Sequence, residues 1–299
     1  MDARRRALLL GLAAGAVTKG AQAVEPTLRA IPASGEELPA IGIGTWQTFD
    51  VRGDAAARAP LREVLKAFSE AGGRVVDSSP MYGAAESVVG ELSAELGLRE
   101  RLFMATKVWT RGREQGVRQI EESFRRMRVE RMDLMQVHNL ADVEAHTPTL
   151  KELKASERIR YMGITHYTAS AYGEVERWLK TGQYDFLQIN YSLGERDAEK
   201  RLLPLAQDMK VAVIANRPFV EGELFRHVKG KPLPPWAEEL GIRSWAQYFL
   251  KWIVSHPAVT CAIPGTGRPE HISDNVGAGF GALPDAPARK RMAGYFDSL

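Results

Sequence analysis

The chain has 299 residues, 44% hydrophobic and 26% charged, the balance of an ordinary globular protein long enough to bury one large α/β core. Its formal net charge of +3 comes from residues 1–23, where Arg4, Arg5, Arg6 and Lys19 stand against Asp2 alone, so the remainder is neutral and gives no support to a nucleic-acid groove. A single cysteine, Cys261, excludes an intrachain disulfide, and its apolar setting, Val259 to Ile263, predicts a buried core thiol and not a nucleophile.

Three arginines open the chain, followed by the apolar run Ala7 to Val17 and then Ala21-Gln22-Ala23, a small-residue cleavage site. The run is too short to cross a bilayer as a mature helix. The paired arginines, the mild Gly- and Ala-rich stretch and Lys19 resemble twin-arginine export signals, which serve proteins that fold before transport. That resemblance implies a cleaved signal over 1–23 that engages the twin-arginine export machinery, a mature domain over 24–299, a periplasmic destination and no stable membrane span. The competing reading is an uncleaved N-terminal tail on a cytoplasmic protein.

From residue 40 onward, short apolar runs alternate with amphipathic stretches. Strands are expected at Gly42 to Thr45, Val75 to Ser78, Phe103 to Val108, Leu134 to His138, Tyr161 to Thr165, Phe186 to Tyr191, Val211 to Ala215 and Thr260 to Ile263. Helices are expected at Leu61 to Ala71, Glu86 to Leu98, Gly116 to Met127, Ser170 to Lys180 and Ala198 to Met209, long enough for parallel crossovers. Near-continuous apolar strands fit a parallel sheet covered on both faces. Eight such units, with no Gly-rich dinucleotide fingerprint after the first strand, predict a single (β/α)8 TIM barrel over an open doubly wound sheet. The loops between them read as short, with no large lid, and Leu283 to Leu299 is expected to cover a barrel end.

A barrel of this kind carries its chemistry at the carboxyl ends of its strands. Asp77 closes the second strand, Lys107 the third and His138 the fourth, with Tyr82 on the loop after the second. Each alone has an ordinary structural account as a turn cap, a snorkelling lysine, a satisfied core histidine or turn packing. Together they are harder to attribute to packing, because burying four such groups unpaired costs several kcal/mol. Trp46, Phe49, Trp109 and Tyr167 fall on loops at the same mouth and predict an aromatic-lined cleft.

The run Asp77-Ser78-Ser79-Pro80-Met81-Tyr82-Gly83, with Glu86 and Gly90, resembles the D-x-(A/S)-x-x-Y-G…E…G signature of the aldo/keto reductases. The similarity continues in order through Ala105-Thr106-Lys107-Val108, Asp133 to His138, Gly163-Ile164-Thr165, Gln188 to Ser192 and Ile263-Pro264-Gly265. It implies an NAD(P)H-dependent oxidoreductase that acts on a small-molecule carbonyl substrate. Its catalytic tetrad would have Tyr82 as proton donor, Lys107 lowering the phenol pKa, Asp77 fixing Lys107, and neutral His138 donating to the carbonyl oxygen.

The resemblance also implies cofactor contacts, with departures. Thr165-His166 replaces the usual Ser-Asn pair that holds the nicotinamide amide, and Gln188 keeps the family glutamine; His166 donates or accepts depending on its tautomer. Thr45 and Trp46 flank the same region. Asn216 and Arg217 stand where many members stack an aromatic ring. Gly265-Thr266-Gly267 and a helix expected from Pro269 suit phosphate. Arg268 is placed to meet a 2′-phosphate and Asn275 to meet adenine, which favours NADP(H) over NAD(H) by a small margin. No metal is expected. Two alternatives remain at this stage: a cofactor-binding sensor with little turnover, and a barrel hydrolase using Asp77 and Glu86 as paired carboxylates or a metal on His138.

Overall fold

The computed structural model describes residues 25–53 and 55–299, so the export-signal reading of residues 1–23 lies outside the described residues. The chain enters through an antiparallel hairpin, β1 (Leu28–Ala30) with β2 (Glu37–Pro39). Eight parallel strands follow: β3 (Ile43–Gly44), β4 (Val75–Asp77), β5 (Phe103–Val108), β6 (Met132–Val137), β7 (Ile159–Thr165), β8 (Phe186–Asn190), β9 (Ala212–Asn216) and β10 (Val259–Ala262). They pair in chain order, and parallel bridges Ile41–Ala262 and Gly44–Gly265 bring the first strand against the last. This is the (β/α)8 barrel the sequence predicts, with every expected strand within two residues of its observed bounds.

The helices are α1 (Ala55–Glu70), α2 (Ala85–Glu95), α3 (Arg113–Met127), α4 (Val143–Ala155), α5 (Tyr172–Leu179), α6 (Leu202–Asp208), α7 (Glu223–His227), α8 (Trp245–Val254), α9 (Pro269–Gly277) and α10 (Ala286–Asp297). Among the described residues no helix is long and apolar enough to cross a membrane.

Strand periodicity separates two cores. On β5, Phe103 and Ala105 belong to the cluster inside the barrel, whereas Met104 and Val108 join the shell beneath the helices. Ile31 and Leu38, flanking the hairpin turn, complete the inner cluster and plug the end of the barrel from which the strands start. Glu36 ties that plug down, pairing with Arg160 and accepting a 2.9 Å hydrogen bond from the Tyr161 hydroxyl. Access to the interior is thereby left to the carboxyl end. Cys261 lies fully inside this core, and burial pushes its thiol up, as expected of an inert cysteine.

Three expectations need correction. The connection from β9 to α8, residues 217–244, is long and brings α7 to the mouth, so the loops are not uniformly short. The C-terminal segment lies mainly along the flank, where Arg289 reaches the Tyr191 hydroxyl at 2.7 Å and Glu199 at 2.6 Å and Tyr248 donates to Met292 O at 2.8 Å, and only its end, Phe296 and Asp297, comes beside Tyr167 and Arg217 at the rim. Phe49 is fully buried in the outer core and not at the mouth, because the turn after β3 folds it inward.

Candidate active site

The four predicted residues converge. Asp77 ends β4, Lys107 is on β5 one residue from its end, His138 follows β6, and Tyr82 sits in the turn between β4 and α2. Lys107 Nζ donates to Asp77 Oδ2 at 2.6 Å and to the Ser78 carbonyl at 2.7 Å, with both side chains of the ion pair shut off from solvent. The same ammonium stands 5.1 Å from the centroid of the Tyr82 ring. Tyr82 and His138 meet edge to face, with centroids 5.8 Å apart. The other carboxylate oxygen, Asp77 Oδ1, accepts from Gln188 Nε2 at 2.8 Å and from Gln136 Nε2 at 3.4 Å.

Burial governs the electrostatics. It works against the Lys107 charge, but Asp77 and Tyr82 outweigh it and hold the ammonium above its ordinary pKa. His138 is pushed down to about 2 by burial, by Lys107 and by His166, so the ring is neutral, as the sequence led us to expect. Tyr82 corrects an expectation: Lys107 does pull the phenol down, but burial, the larger effect, raises it overall. The phenol is therefore protonated near neutral pH, and the Lys107 ammonium acts on it only by favouring its anionic form against the larger effect of burial.

Above these groups lies a cavity of ≈ 600 Å³, whose wall includes Thr45, Trp46, Asp77, Tyr82, His138, Thr165, Gln188, Asn216 and Arg217. Lys107 lies beneath this wall. Trp46, Met81, Tyr167 and Phe225 line it too, each at least 38% exposed, and the Trp109 ring centroid is 6.4 Å from that of His138. Met81 and Phe225 were not anticipated; Phe225 arrives on the long β9–α8 connection.

The remaining predicted contacts are placed less evenly. Thr45 donates its hydroxyl to Asp77 O and Ser78 Oγ, both at 3.0 Å, so it buttresses the floor. Gln188 donates one amide proton to Asp77 Oδ1, and its side chain lines the cavity. The His166 ring does not belong to the cavity wall: it stacks on Tyr167 with centroids 5.5 Å apart, and its Nδ1 accepts the Thr168 N–H at 3.2 Å. A backbone N–H only donates, so the neutral His166 ring carries its proton on Nε2. Asn216 donates to His166 O at 3.1 Å, and Arg217 pairs with Glu221 and, at 3.6 Å, with Glu195. Arg268 is exposed at the cap of α9, which begins at Pro269 as expected, and Asn275 is buried on that helix.

Would these residues suit a nicotinamide cofactor? Asn216 Oδ1 and Thr48 Oγ1, both on the cavity wall, are buried polar atoms with no partner among the described residues, which a polar ligand would satisfy. With Gln188 and Thr165 on the same wall, this set of polar groups fits a nicotinamide cofactor. The hydrolase alternative does not fit. Glu86 lies on the outer side of β5, accepting from Thr106 at 2.6 Å, whereas Asp77 faces the interior, so the two carboxylates do not flank one space. No cluster of three or more metal-ligating side chains occurs among the described residues.

Residues 40–289 match the sequence profile described as "Aldo/keto reductase family". The chain is 32% identical to methylglyoxal reductase YeaE of Escherichia coli over 246 residues, 80% of this chain and 84% of that protein. It is 26% identical to the NADH-specific methylglyoxal reductase of the same organism, over 84% of this chain and 93% of the other. Among solved structures, an aldo/keto reductase from Klebsiella pneumoniae in complex with NADP and acetate is similar at TM-score 0.77 and 27% identity, covering 91% of this chain and 96% of that one.

Proposed function

The chain belongs to the aldo/keto reductase family, and from that premise we propose that it is an NAD(P)H-dependent enzyme that reduces an aldehyde or ketone to an alcohol, with Tyr82 as the proton donor. The observation that carries this reading is the meeting of Tyr82 and His138 on one cavity wall above the buried Lys107–Asp77 pair. The cofactor, when bound, supplies a hydride to the carbonyl carbon. Thr165, Gln188 and Asn216 would hold it. His138 donates a hydrogen bond to the carbonyl oxygen, and Tyr82 releases its proton to that oxygen as negative charge builds there. Lys107 stabilises the phenolate left behind, and Asp77 with its two glutamine partners keeps the ammonium in place.

Consumption of NADPH and NADH across a panel of aldehydes and ketones, with alcohol identified as product, tests the proposal. Cofactor binding without consumption of either would favour the sensor reading, which the replacement of a stacking ring by Asn216 supports. The NADP preference rests on Arg268, for which no ion-pair partner is found among the described residues; the NADH-specific relative weighs the other way. Export is likewise a proposal: the mature protein is expected to begin near Val24, and an intact Met1 on the extracytoplasmic protein would refute it.

A further inference from the structure

We infer that Ser79 is a positioning residue that fixes the tautomer of His138, donating its hydroxyl proton to Nδ1 and so directing an Nε2–H into the cavity. Ser79 is fully buried, and its Oγ lies 2.9 Å from His138 Nδ1. Distance alone does not say which atom donates. Counting protons does. The Ser79 Oγ already accepts the Met81 backbone N–H, at 3.3 Å. Its own proton has one acceptor among the described residues, His138 Nδ1. Were Nδ1 to carry the proton instead, the hydroxyl would accept twice and its proton would be buried with no acceptor, at the full desolvation penalty. His138 Nε2 makes no hydrogen bond within the described chain, and the ring lines the cavity, so the remaining proton points at the space a carbonyl oxygen would enter. The groups around the ring, Lys107, His166, Tyr82, Trp109 and Ser79, include no carboxylate in hydrogen-bond contact that would favour an imidazolium.

The arrangement is built by the turn after β4. Ser79 follows Asp77 by two residues, so the segment that positions the carboxylate for Lys107 also positions the hydroxyl for His138. A serine there binds both halves of the site into one network, which an alanine at the same position could not do.

The catalytic consequence rests on the carbonyl-reductase reading, but the tautomer does not, and the test separates them. The probe is the neutral ring itself, through its nitrogen-15 chemical shifts, assigned among six histidines by a His138→Gln variant. Wild type should show a protonated Nε2 and a bare Nδ1 without any substrate present. In Ser79→Ala the bias should weaken, kcat for carbonyl reduction should fall by about three- to tenfold with cofactor Kd unchanged, and Ser79→Thr should restore both. A protonated Nδ1 in wild type, or a Ser79→Ala protein keeping both the Nε2–H tautomer and full kcat, would overturn the inference. A wild-type protein with the stated tautomer and no carbonyl reduction would refute the functional reading alone.

Discussion

Lys107 Nζ and Asp77 Oδ2 stand 2.6 Å apart, with the lysine fully buried and the aspartate all but buried. An ion pair so placed costs desolvation on both sides, and removing one partner strands the other charge. Lys107→Met should therefore destabilise the protein by about 3 to 5 kcal/mol in denaturant unfolding. Gln188 and Gln136 on Oδ1 soften the loss without replacing the cation. A cost within ~0.5 kcal/mol, the range of ordinary surface changes, would mean that the pair is not buried as described.

Acid stability follows from His138. Its folded value of about 2 lies far below its ordinary 6.5, so the unfolded chain takes up a proton that the folded chain refuses throughout that interval. The associated stability is complete above pH 6.5 and is lost as pH falls toward 2. His256, pushed down to about 4 chiefly by burial, adds a second proton between its ordinary 6.5 and 4. Stability measured by urea titration from pH 7 to 4 should fall more steeply in wild type than in His138→Gln, by up to ~1.4 kcal/mol per pH unit. Parallel slopes would show that His138 is charged in the fold.

Gly90, on α2, leaves no room for a side chain. A Cβ there would lie 2.1 Å from Arg126 O and 2.7 Å from Met127 Cα, backbone of α3 that cannot swing aside. Alanine gains roughly 1 kcal/mol of helix propensity over glycine, but overpacking costs about 1 to 3 kcal/mol. Gly90→Ala should lower the unfolding free energy overall, and a raised Tm would show that α2 and α3 can separate freely.

Cofactor preference turns on Arg268, exposed beside the Gly265-Thr266-Gly267 turn and held at its backbone by a 3.1 Å hydrogen bond to Thr266 Oγ1. If its guanidinium meets a 2′-phosphate, Arg268→Ala should weaken NADPH binding by about 1 to 3 kcal/mol and leave NADH almost unaffected. Fluorescence titration with both cofactors distinguishes this from equal losses, which would place Arg268 at the shared pyrophosphate.

The barrel was legible because its strands are apolar on both faces and its first helices amphipathic, two patterns with different periods. Helix α8, Trp-Ala-Gln-Tyr-Phe-Leu-Lys-Trp-Ile-Val, is buried along most of its length and so shows no polar face to betray it. In α4, Pro148 and the buried His146, Thr147 and Thr149 break the apolar pattern. The strands of the plugging hairpin are three residues each, too short to show alternation. The proposed tetrad was legible because Asp77, Lys107 and His138 close successive apolar runs and because the run from Asp77 to Gly83 resembles the family signature. What Ser79 and Gln188 do was not: their partners, His138 and Asp77, lie far away in sequence, and only barrel closure brings them together.

The proton donor gives the sharpest test. Tyr82→Phe removes the acid and keeps the ring, so kcat for carbonyl reduction should fall by at least ~100-fold, the lower range for general acid catalysis, while cofactor Kd barely moves. Because burial raises the phenol above its ordinary value and His138 is already neutral, the wild-type rate should stay level through neutral pH and decline only in the alkaline range where Tyr82 ionises. Lys107 pulls that phenol down, so Lys107→Met should move the alkaline limb still higher while lowering the plateau, because the phenolate that forms has lost its counter-charge. In the Tyr82→Phe, Lys107→Met double variant the two losses should not add, since Lys107 acts through a hydroxyl that is no longer there. Rates and cofactor dissociation constants for wild type, both single variants and the double variant complete the cycle. Additive losses would mean that Lys107 acts elsewhere, and a Tyr82→Phe enzyme turning over normally on a substrate whose chemical step is rate-limiting would remove Tyr82 from the chemistry altogether.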